Sequence, residues 1–400
     1  MTKTQRKAAS SAADAFDRHY AAIWGEGRWQ NTLRPALEQP TRYACLLNRY
    51  APLQATKEKI STPNTDQVPV ELPRPTIPDH ALNLPLNLVV RQTKPAEDGS
   101  SAPSSEPFPA PVSVPGQLCS HWNLDAASAL VAQLLDVRHG DNVLDLCAAP
   151  GGKSISLAQN IWIQHHADDS EARAKVLCQK SVQIGTLHSN EADAPRQRRL
   201  ADNLRSYLPK PLFDAQRIST SRIDGTNPKA HYELVVKTPD GTVGYDKVLI
   251  DAPCSSERHL IHAHANARLG GREAPEMVNW RPGSSKRLAE TQVKLLMTGL
   301  RAAKVRATIM YATCSIEPTE NDGIIGKLLS QVDKERKKGL LKWNVKVGFG
   351  AGHGDEALET ELEKNWAERT EYGWIVLPDH PGGGRWGPLF FAVLTKTSIA

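Results

Sequence analysis

The 400 residues predict an α/β fold, a doubly wound and mostly parallel sheet of the Rossmann-like type, preceded by a helical N-terminal extension. Three observations lead there. From residue 117 on, short apolar runs alternate with helix-patterned stretches, as strands and crossover helices do in parallel sheets. Before residue 60, apolar residues recur at helical separations instead. Between these regions the composition shifts, with twelve of the 28 prolines lying between residues 61 and 120.

In chain order, residues 14–56 carry Phe16, Tyr20, Trp24, Leu33, Leu37, Leu46 and Leu47 at helix-like separations, so helix is expected there, within an extension over 1–60. The stretch 61–116 is Ser/Pro/Ala-rich from Pro95 to Pro115 and predicts a linker or an irregular wrap, since proline removes backbone donors. A boundary near residue 115 follows, with the main domain over 117–400. Leu124–Leu135 predicts an amphipathic helix, Asn142–Leu146 a buried strand, and a Gly-rich turn leads to a helix from about Lys153. Val182–His188 is the next strand candidate and Arg196–Tyr207 the next helix. Lys247–Ile250 and Ala307–Tyr311 predict strands on either side of a long helix, Arg287–Lys304. Trp374–Leu377 and Leu389–Leu394 pattern as a terminal hairpin. No internal repeat is visible.

Composition narrows the class. Hydrophobic residues at 40% and charged residues at 23% are the proportions of a chain that buries a core. No apolar run has the roughly 20 residues a membrane helix needs. The six cysteines, at 45, 119, 147, 178, 254 and 314, include no C-x-x-C pair, so reduced thiols are expected and no metal site. A net charge of +5 is compatible with nucleic acid without demanding it. The basic clusters at Arg196-Arg198-Arg199 and Lys334-Arg336-Lys337-Lys338 are expected to be solvated helix faces. MTKTQRKAASSAADAF is basic, Ser/Ala-rich and free of acids before Asp14, which suits a short mitochondrial presequence or a frayed tail.

In open α/β sheets a ligand sits beyond the carboxyl ends of the strands, so the ends at Leu146, Ile250 and Tyr311 are where a site is sought. The first continues as Cys147-Ala148-Ala149-Pro150-Gly151-Gly152-Lys153, small residues and paired glycines that let a backbone approach a ligand at a helix N-terminus. Its spacing matches neither G-x-G-x-x-G nor G-x-x-x-x-G-K-[ST], which disfavours a dinucleotide oxidoreductase. Glu191, after the second strand, holds the place that bonds ribose hydroxyls in nucleotide-binding folds. Asp224-Gly225 follows the next apolar stretch and is a candidate for an adenine amino group.

The second strand end reads Asp251-Ala252-Pro253-Cys254-Ser255-Ser256, where Pro253 stops the strand and sets Cys254 on a loop. The third, Tyr311-Ala312-Thr313-Cys314-Ser315, delivers another cysteine in the same way. One cysteine would be taken for a buried hydrophobe. Two, each past a strand and each followed by serine, point to thiol chemistry. Carbon 5 of cytosine is a poor nucleophile, and a thiolate adding at carbon 6 makes it an enamine-like carbon that accepts a methyl group. A carboxylate near ring nitrogen 3 would support the charge that develops, which suits Asp251. A second thiol can assist release.

With these residues in place, the chain resembles the Sun/Nop-type RNA cytosine-5 methyltransferases. The matching strings are LDAAS at 124–128, VLDLCAAPGGK at 143–153, VLIDAPCSSERH at 248–259 and YATCS at 311–315. The resemblance implies a Rossmann-like methyltransferase fold, S-adenosylmethionine as donor and RNA as acceptor. It implies that Cys314, in the TCS string, is the nucleophile and that Cys254 assists product release. Donor-binding roles carry over to Gly151, Gly152, Lys153, Glu191, Arg196, Asp224 and Asp251, beside the rest of the 147–153 turn and Gly225. FDRHYAAIWGEGRWQNTLRPAL, ACLLNRYA and WGPLFFAVL resemble the mitochondrial ribosomal-RNA branch. That branch implies a small-subunit ribosomal RNA target, an mTERF-like helical partner protein and, apart from it, a monomer.

Glu191 departs from the aspartate more common in the family, and the segments 160–182 and 332–372 look longer than family cores. Without a recognisable appended RNA-binding module, capture of a splayed-out base falls to the N-terminal region, the cleft or a partner. Three alternatives stand beside this reading: a catalytically silent scaffold for ribosome assembly, a tRNA cytosine-5 methyltransferase and a DNA cytosine methyltransferase. Cys314, Asp251 and Lys153 together argue against the first, and the TCS string against the last. A nuclear or cytoplasmic location is the alternative to a mitochondrial one.

Overall fold

A computed structural model describes residues 3–62, 65–76, 83–93, 107–111, 116–168, 184–236, 244–272 and 274–398. Its centre is a nine-stranded sheet. Five strands are parallel: β5 (Asn142–Asp145), β6 (Thr186–Asn190), β7 (Ile218–Ser221), β8 (Tyr245–Asp251) and β9 (Ala303–Thr313), in the spatial order β9-β8-β5-β6-β7. From β5 the chain winds outward one way through β6 and β7, then returns to build β8 and β9 on the other side. The reversal lies between β5 and β8, which places the crevice above Asp145 and Asp251. β13 (Leu389–Ser398) runs antiparallel to β9 and pairs with β12 (Trp374–Val376), the terminal hairpin expected from the sequence. β10 (Trp343–Val347) and β11 (Glu368–Arg369), both from the long segment 332–372, complete that edge.

The strand period of two explains why the sheet is covered on both faces. Along β9, Ile309 and Tyr311 enter one core while Met310 and Ala312 enter the other. Along β13, Phe390, Ala392 and Leu394 alternate with Leu389, Phe391 and Val393 in the same way. One core takes the helices Ala126–Leu134, Gly152–Ile161 and Ala194–Tyr207; the other takes Ser285–Ala302 and Asp322–Lys337. The N-terminal helix Lys3–Trp24 joins the second core through Phe16 and Tyr20, which pack with Trp29 and Trp280. No helix among the described residues is long and apolar enough to cross a membrane.

Four local expectations are corrected. Ala44–Leu47, expected to be helical, is strand β1, because all four side chains are buried and its backbone pairs on both sides. Its partners are β3 (Leu88–Thr93) and β4 (His121–Leu124), and β2 (Thr65–Pro69) adds a fourth strand. The Pro-rich stretch thus contributes two strands, and one sheet draws from both sides of the boundary read near residue 115. Leu124–Leu135 is helical over Ala126–Leu134 but not amphipathic, since every residue except Ser128 is buried. Its outer side is covered by the 83–93 segment: Leu86 N–H donates to Gln133 Oε1 at 2.7 Å, and Gln133 donates to Asn83 at 3.1 Å. The strand sought at Val182–His188 runs over Thr186–Asn190 instead; Gly185 before it lies so close to the Asp141 carbonyl that a Cβ would sit 2.3 Å from that oxygen. Residues 182 and 183, Cys178 and most of the 160–182 insertion lie outside the described residues.

Candidate active site

Asp145, Asp251 and Cys314 come from the carboxyl ends of β5, β8 and β9, so the parallel sheet brings the three sequence-predicted strand ends to one crevice. Asn190, at the end of β6, ties the ends together: its amide donates to the Leu146 and Ile223 carbonyls, and its oxygen accepts from Ile223 N–H and Ser221. Sequence reasoning missed this residue, although it sits beside Glu191.

Two cavities open on the crevice. The larger, about 470 Å³, is walled by Cys147, Ala149, Glu191, Arg196, Asp224 and Gly225 together with Asp251, Cys254 and Cys314. The smaller, about 320 Å³, is walled by Asp125, Ser128, Lys153, Arg258, His259 and the Gly387-Pro388 turn. Asp251, Ser256 and Cys314 line both and form the partition. Arg196 donates to the Ala149 carbonyl at 2.9 Å and lies 3.4 Å from Glu191. Asp193 caps the helix that carries Arg196, and its own N–H donates to Glu191.

Gly151, Gly152 and Lys153 do not line the larger cavity, and neither do Ala148 and Pro150. The glycines answer to packing. Gly151 has φ +117° and starts the helix Gly152–Ile161, while a Cβ on Gly152 would lie 2.5 Å from the Trp122 indole nitrogen. Lys153 turns to the other side, where Nζ donates to Asp251 at 2.7 Å and to Ser128 at 3.1 Å. Burial opposes its charge, but Asp251 and Asp145 outweigh burial and hold the ammonium above the usual lysine range. Asp145, fully buried, is pushed up to about 7 by desolvation; Ser154 donates to one of its oxygens and the other has no partner among the described residues.

The two thiols lie 3.1 Å apart and are unbonded, and Ser256 Oγ sits 3.0 Å from Cys314 Sγ and 3.4 Å from Cys254 Sγ. Ser256 reaches this place from a left-handed backbone conformation, φ +53°, at the cap of the helix Glu257–Leu269. The hydrogen bond with Cys254 lowers the Cys314 thiol below its ordinary value, against burial, with further help from Ser256. That same bond, with burial, raises Cys254 well above it. The arrangement is a pair of touching thiols, one of them eased toward ionisation, next to a Lys–Asp pair. Among the described residues no group of three His, Cys, Asp or Glu side chains could hold a metal ion.

Besides Asn190, sequence reasoning missed Ser256, Ser128 and Asp125. Asp125 caps the helix after β4 through Ala127 N–H and accepts from Gly387 N–H at 3.0 Å, closing the smaller cavity. The LDAAS and SSERH strings hold Asp125, Ser128 and Ser256, so the signal was present but carried no stated role.

The chain is 27% identical to a mitochondrial tRNA (cytosine(34)-C(5))-methyltransferase of Danio rerio, over 99% of this chain and 90% of that protein. It is 28% identical to the 5-cytosine rRNA methyltransferase NSUN4 of Mus musculus, over 81% of this chain and 75% of that protein. In fold it is similar to a methyltransferase homologue from Pyrococcus horikoshii, with a TM-score of 0.56, 18% identity and 99% of each chain covered. NSun6 from the same organism, solved with SFG, has a TM-score of 0.53 at 13% identity, covering 96% of this chain and 98% of that one. The family model for 16S rRNA methyltransferase RsmB/F matches residues 132–365, more than half of the sequence, and the chain belongs to that family.

Proposed function

We infer that the chain methylates carbon 5 of a cytosine in ribosomal RNA, with S-adenosylmethionine as donor and Cys314 as the nucleophile. The observation that carries this reading is the partition: Cys314 and Asp251 face two cavities at once, one suited to a donor and one to a base. The larger cavity, about 470 Å³, falls in the ~300–1,000 Å³ range of small-molecule sites. This chain's own atoms suit the donor. Glu191 and Asp224 offer carboxylates for hydroxyl and amino groups, and the unpartnered Asp145 oxygen is a buried acceptor below the same turn. When bound, S-adenosylmethionine supplies an electrophilic methyl group. Cys147, Ala149, Glu191, Arg196, Asp224, Gly225 and Asp251 are proposed to hold it.

The target base is proposed to enter the smaller cavity. The Cys314 thiolate adds to carbon 6, and the negative charge collecting toward ring nitrogen 3 and its neighbouring oxygen is met by the Lys153 ammonium, which Asp251 holds cationic and in place. Carbon 5 takes the methyl group and then gives up its proton to solvent, the electron pair of that carbon–hydrogen bond moving to re-form the 5,6 double bond. The carbon–sulfur bond then breaks, and Cys254, the more proton-retaining thiol, is proposed to assist that half of the cycle. Gly151 and Gly152 act indirectly, through the packing of the turn.

The mitochondrial relative supports a mitochondrial location. A monomer working with an mTERF-like helical partner completes the proposal.

The test is methyl transfer from labelled S-adenosylmethionine to separated ribosomal RNA and tRNA pools, with wild type and Cys314→Ala. Cytosine labelling of ribosomal RNA by wild type alone is the expected result. Labelling confined to tRNA moves the substrate to the pool named by the Danio rerio relative. Equal labelling by both enzymes removes Cys314 from the mechanism.

A further inference from the structure

We propose that Glu257, together with Tyr20 of the N-terminal helix, is the positioning group that sets the separation of the two active-site thiols. The inference rests on the reading of Cys314 as nucleophile and Cys254 as the releasing thiol. The serines that follow these cysteines, Ser255 and Ser315, both donate to the same oxygen of Glu257, Ser315 at 3.3 Å, and their own hydroxyls are 3.0 Å apart. Ile316 N–H donates to the other oxygen at 3.0 Å. Tyr20 OH, from 237 residues earlier in the chain, donates at 2.9 Å.

An ionised carboxylate accepts about four hydrogen bonds and donates none. Here four donors converge on a carboxylate that is 1% exposed, two of them hydroxyls one residue past a cysteine. Displacing Glu257 would therefore move both cysteine loops together. Tyr20 is itself buried, and desolvation beside Glu257 pushes its hydroxyl far up, so it stays a donor at all working pH values. One residue before it, His19 Nε2 lies 2.7 Å from Glu317, which fastens the loop after Cys314 to the same helix. Phe16, Trp29 and Trp280 hold that helix in place.

Neither Glu257 nor Tyr20 lines the donor or base cavity; both face a separate one, about 220 Å³, behind the loops. Their action is through the cysteines and not on the reacting atoms. The N-terminal helix is then part of the catalytic assembly, even though it lies some 240 residues from the first thiol in sequence. Misplacing a reacting group by about 1 Å can cost about 10²-fold in rate, which sets the scale expected here.

The experiment uses the full chain with total cellular RNA and labelled S-adenosylmethionine in single-turnover mode. Formation and decay of the denaturant-resistant protein–RNA adduct are followed for wild type, Cys314→Ala, Glu257→Gln and Tyr20→Phe. Glu257→Gln is expected to slow both formation and decay by roughly 10²-fold, and Tyr20→Phe both by roughly tenfold, with donor KM within about twofold of wild type. A role confined to stability would lower the amount of active enzyme and leave both rate constants unchanged; that result in Glu257→Gln overturns the proposal. If Glu257→Gln does not fold, wild-type rate constants in Tyr20→Phe overturn it instead. Adduct formation by Cys314→Ala would sink the nucleophile reading and this inference with it. Inactive Cys314→Ala beside wild-type rate constants in the Glu257 and Tyr20 variants would sink the inference alone.

Discussion

The loops after β8 and β9 are built to the same plan, yet their thiols are shifted in opposite directions. Each leaves a parallel strand buried on both faces, each carries Cys-Ser, and each anchors that serine on Glu257. The difference is how their mutual contact shifts them. Across the 3.1 Å contact between them, Cys254 is raised well above its ordinary value and Cys314 is lowered below its own. Ser256 sharpens the asymmetry because it sits 3.0 Å from Cys314 and 3.4 Å from Cys254. On the proposed mechanism, identical chemistry at two positions is divided into an attacking and a releasing role by their mutual placement, a division that residue type alone could not supply.

Exchanging the roles is the strongest way to break the comparison. Cys314→Ser leaves an oxygen that is a far weaker nucleophile than thiolate, and methyl transfer should fall by about 10³-fold or more, with no adduct detected. Cys254→Ser should still form the adduct, and its accumulation on denaturing gels should replace turnover. If both serine variants lose adduct formation equally, the loops share the attacking role and the asymmetry is not functional.

A smaller effect isolates Ser256. Ser256→Ala keeps a Cβ, so the cost of the left-handed backbone is unchanged, but the hydroxyl that favours the Cys314 thiolate is gone. The Cys314 thiol should titrate higher, moving the rising limb of adduct formation to higher pH. At neutral pH the rate should drop by roughly threefold to tenfold and recover in alkali. A uniform loss at every pH would mean that Ser256 acts on the base or the donor instead.

How much of this was legible in the sequence follows from how local each cause is. The strands ending at Leu146, Ile250 and Tyr311 could be read because a parallel strand buried on both faces is a short apolar run. Reactive side chains directly after such runs then mark the crevice by position. Ala44–Leu47 could not be read, because its partners lie some 40 and 75 residues away in the chain and helix-like spacing around it is misleading. The strand Leu88–Thr93 was hidden by proline-rich neighbours, and what fixes its segment is amide contact with Gln133 and Asn160. Paired glycines suggested a ligand, but Trp122 and Leu200 occupy the space their missing side chains leave. The bond between Tyr20 and Glu257 spans the two ends of the fold and leaves no local pattern at all.

A last effect, on stability alone, concerns a second carboxyl that treats the two loops unequally. Glu320 accepts from Ser255 N–H at 3.2 Å and from Gln292 at 2.7 Å, bracing the Cys254 loop, and Gln292 also donates to the Pro253 carbonyl. Burial, with Glu257 nearby, pushes Glu320 up to about 7 from 4.5. Between those values the folded protein binds more protons than the unfolded chain, so this group's contribution to stability falls as pH rises from about 4.5 to about 7. Above pH 7 the folded state carries the full cost of a buried charge. Glu320→Gln keeps an oxygen to accept from Ser255 and Gln292 but cannot ionise. It should therefore match wild type near pH 4.5 and exceed it at pH 8 by on the order of 2 kcal/mol in urea unfolding. A stability difference independent of pH would mean that Glu320 ionises normally and that burial does not hold its proton.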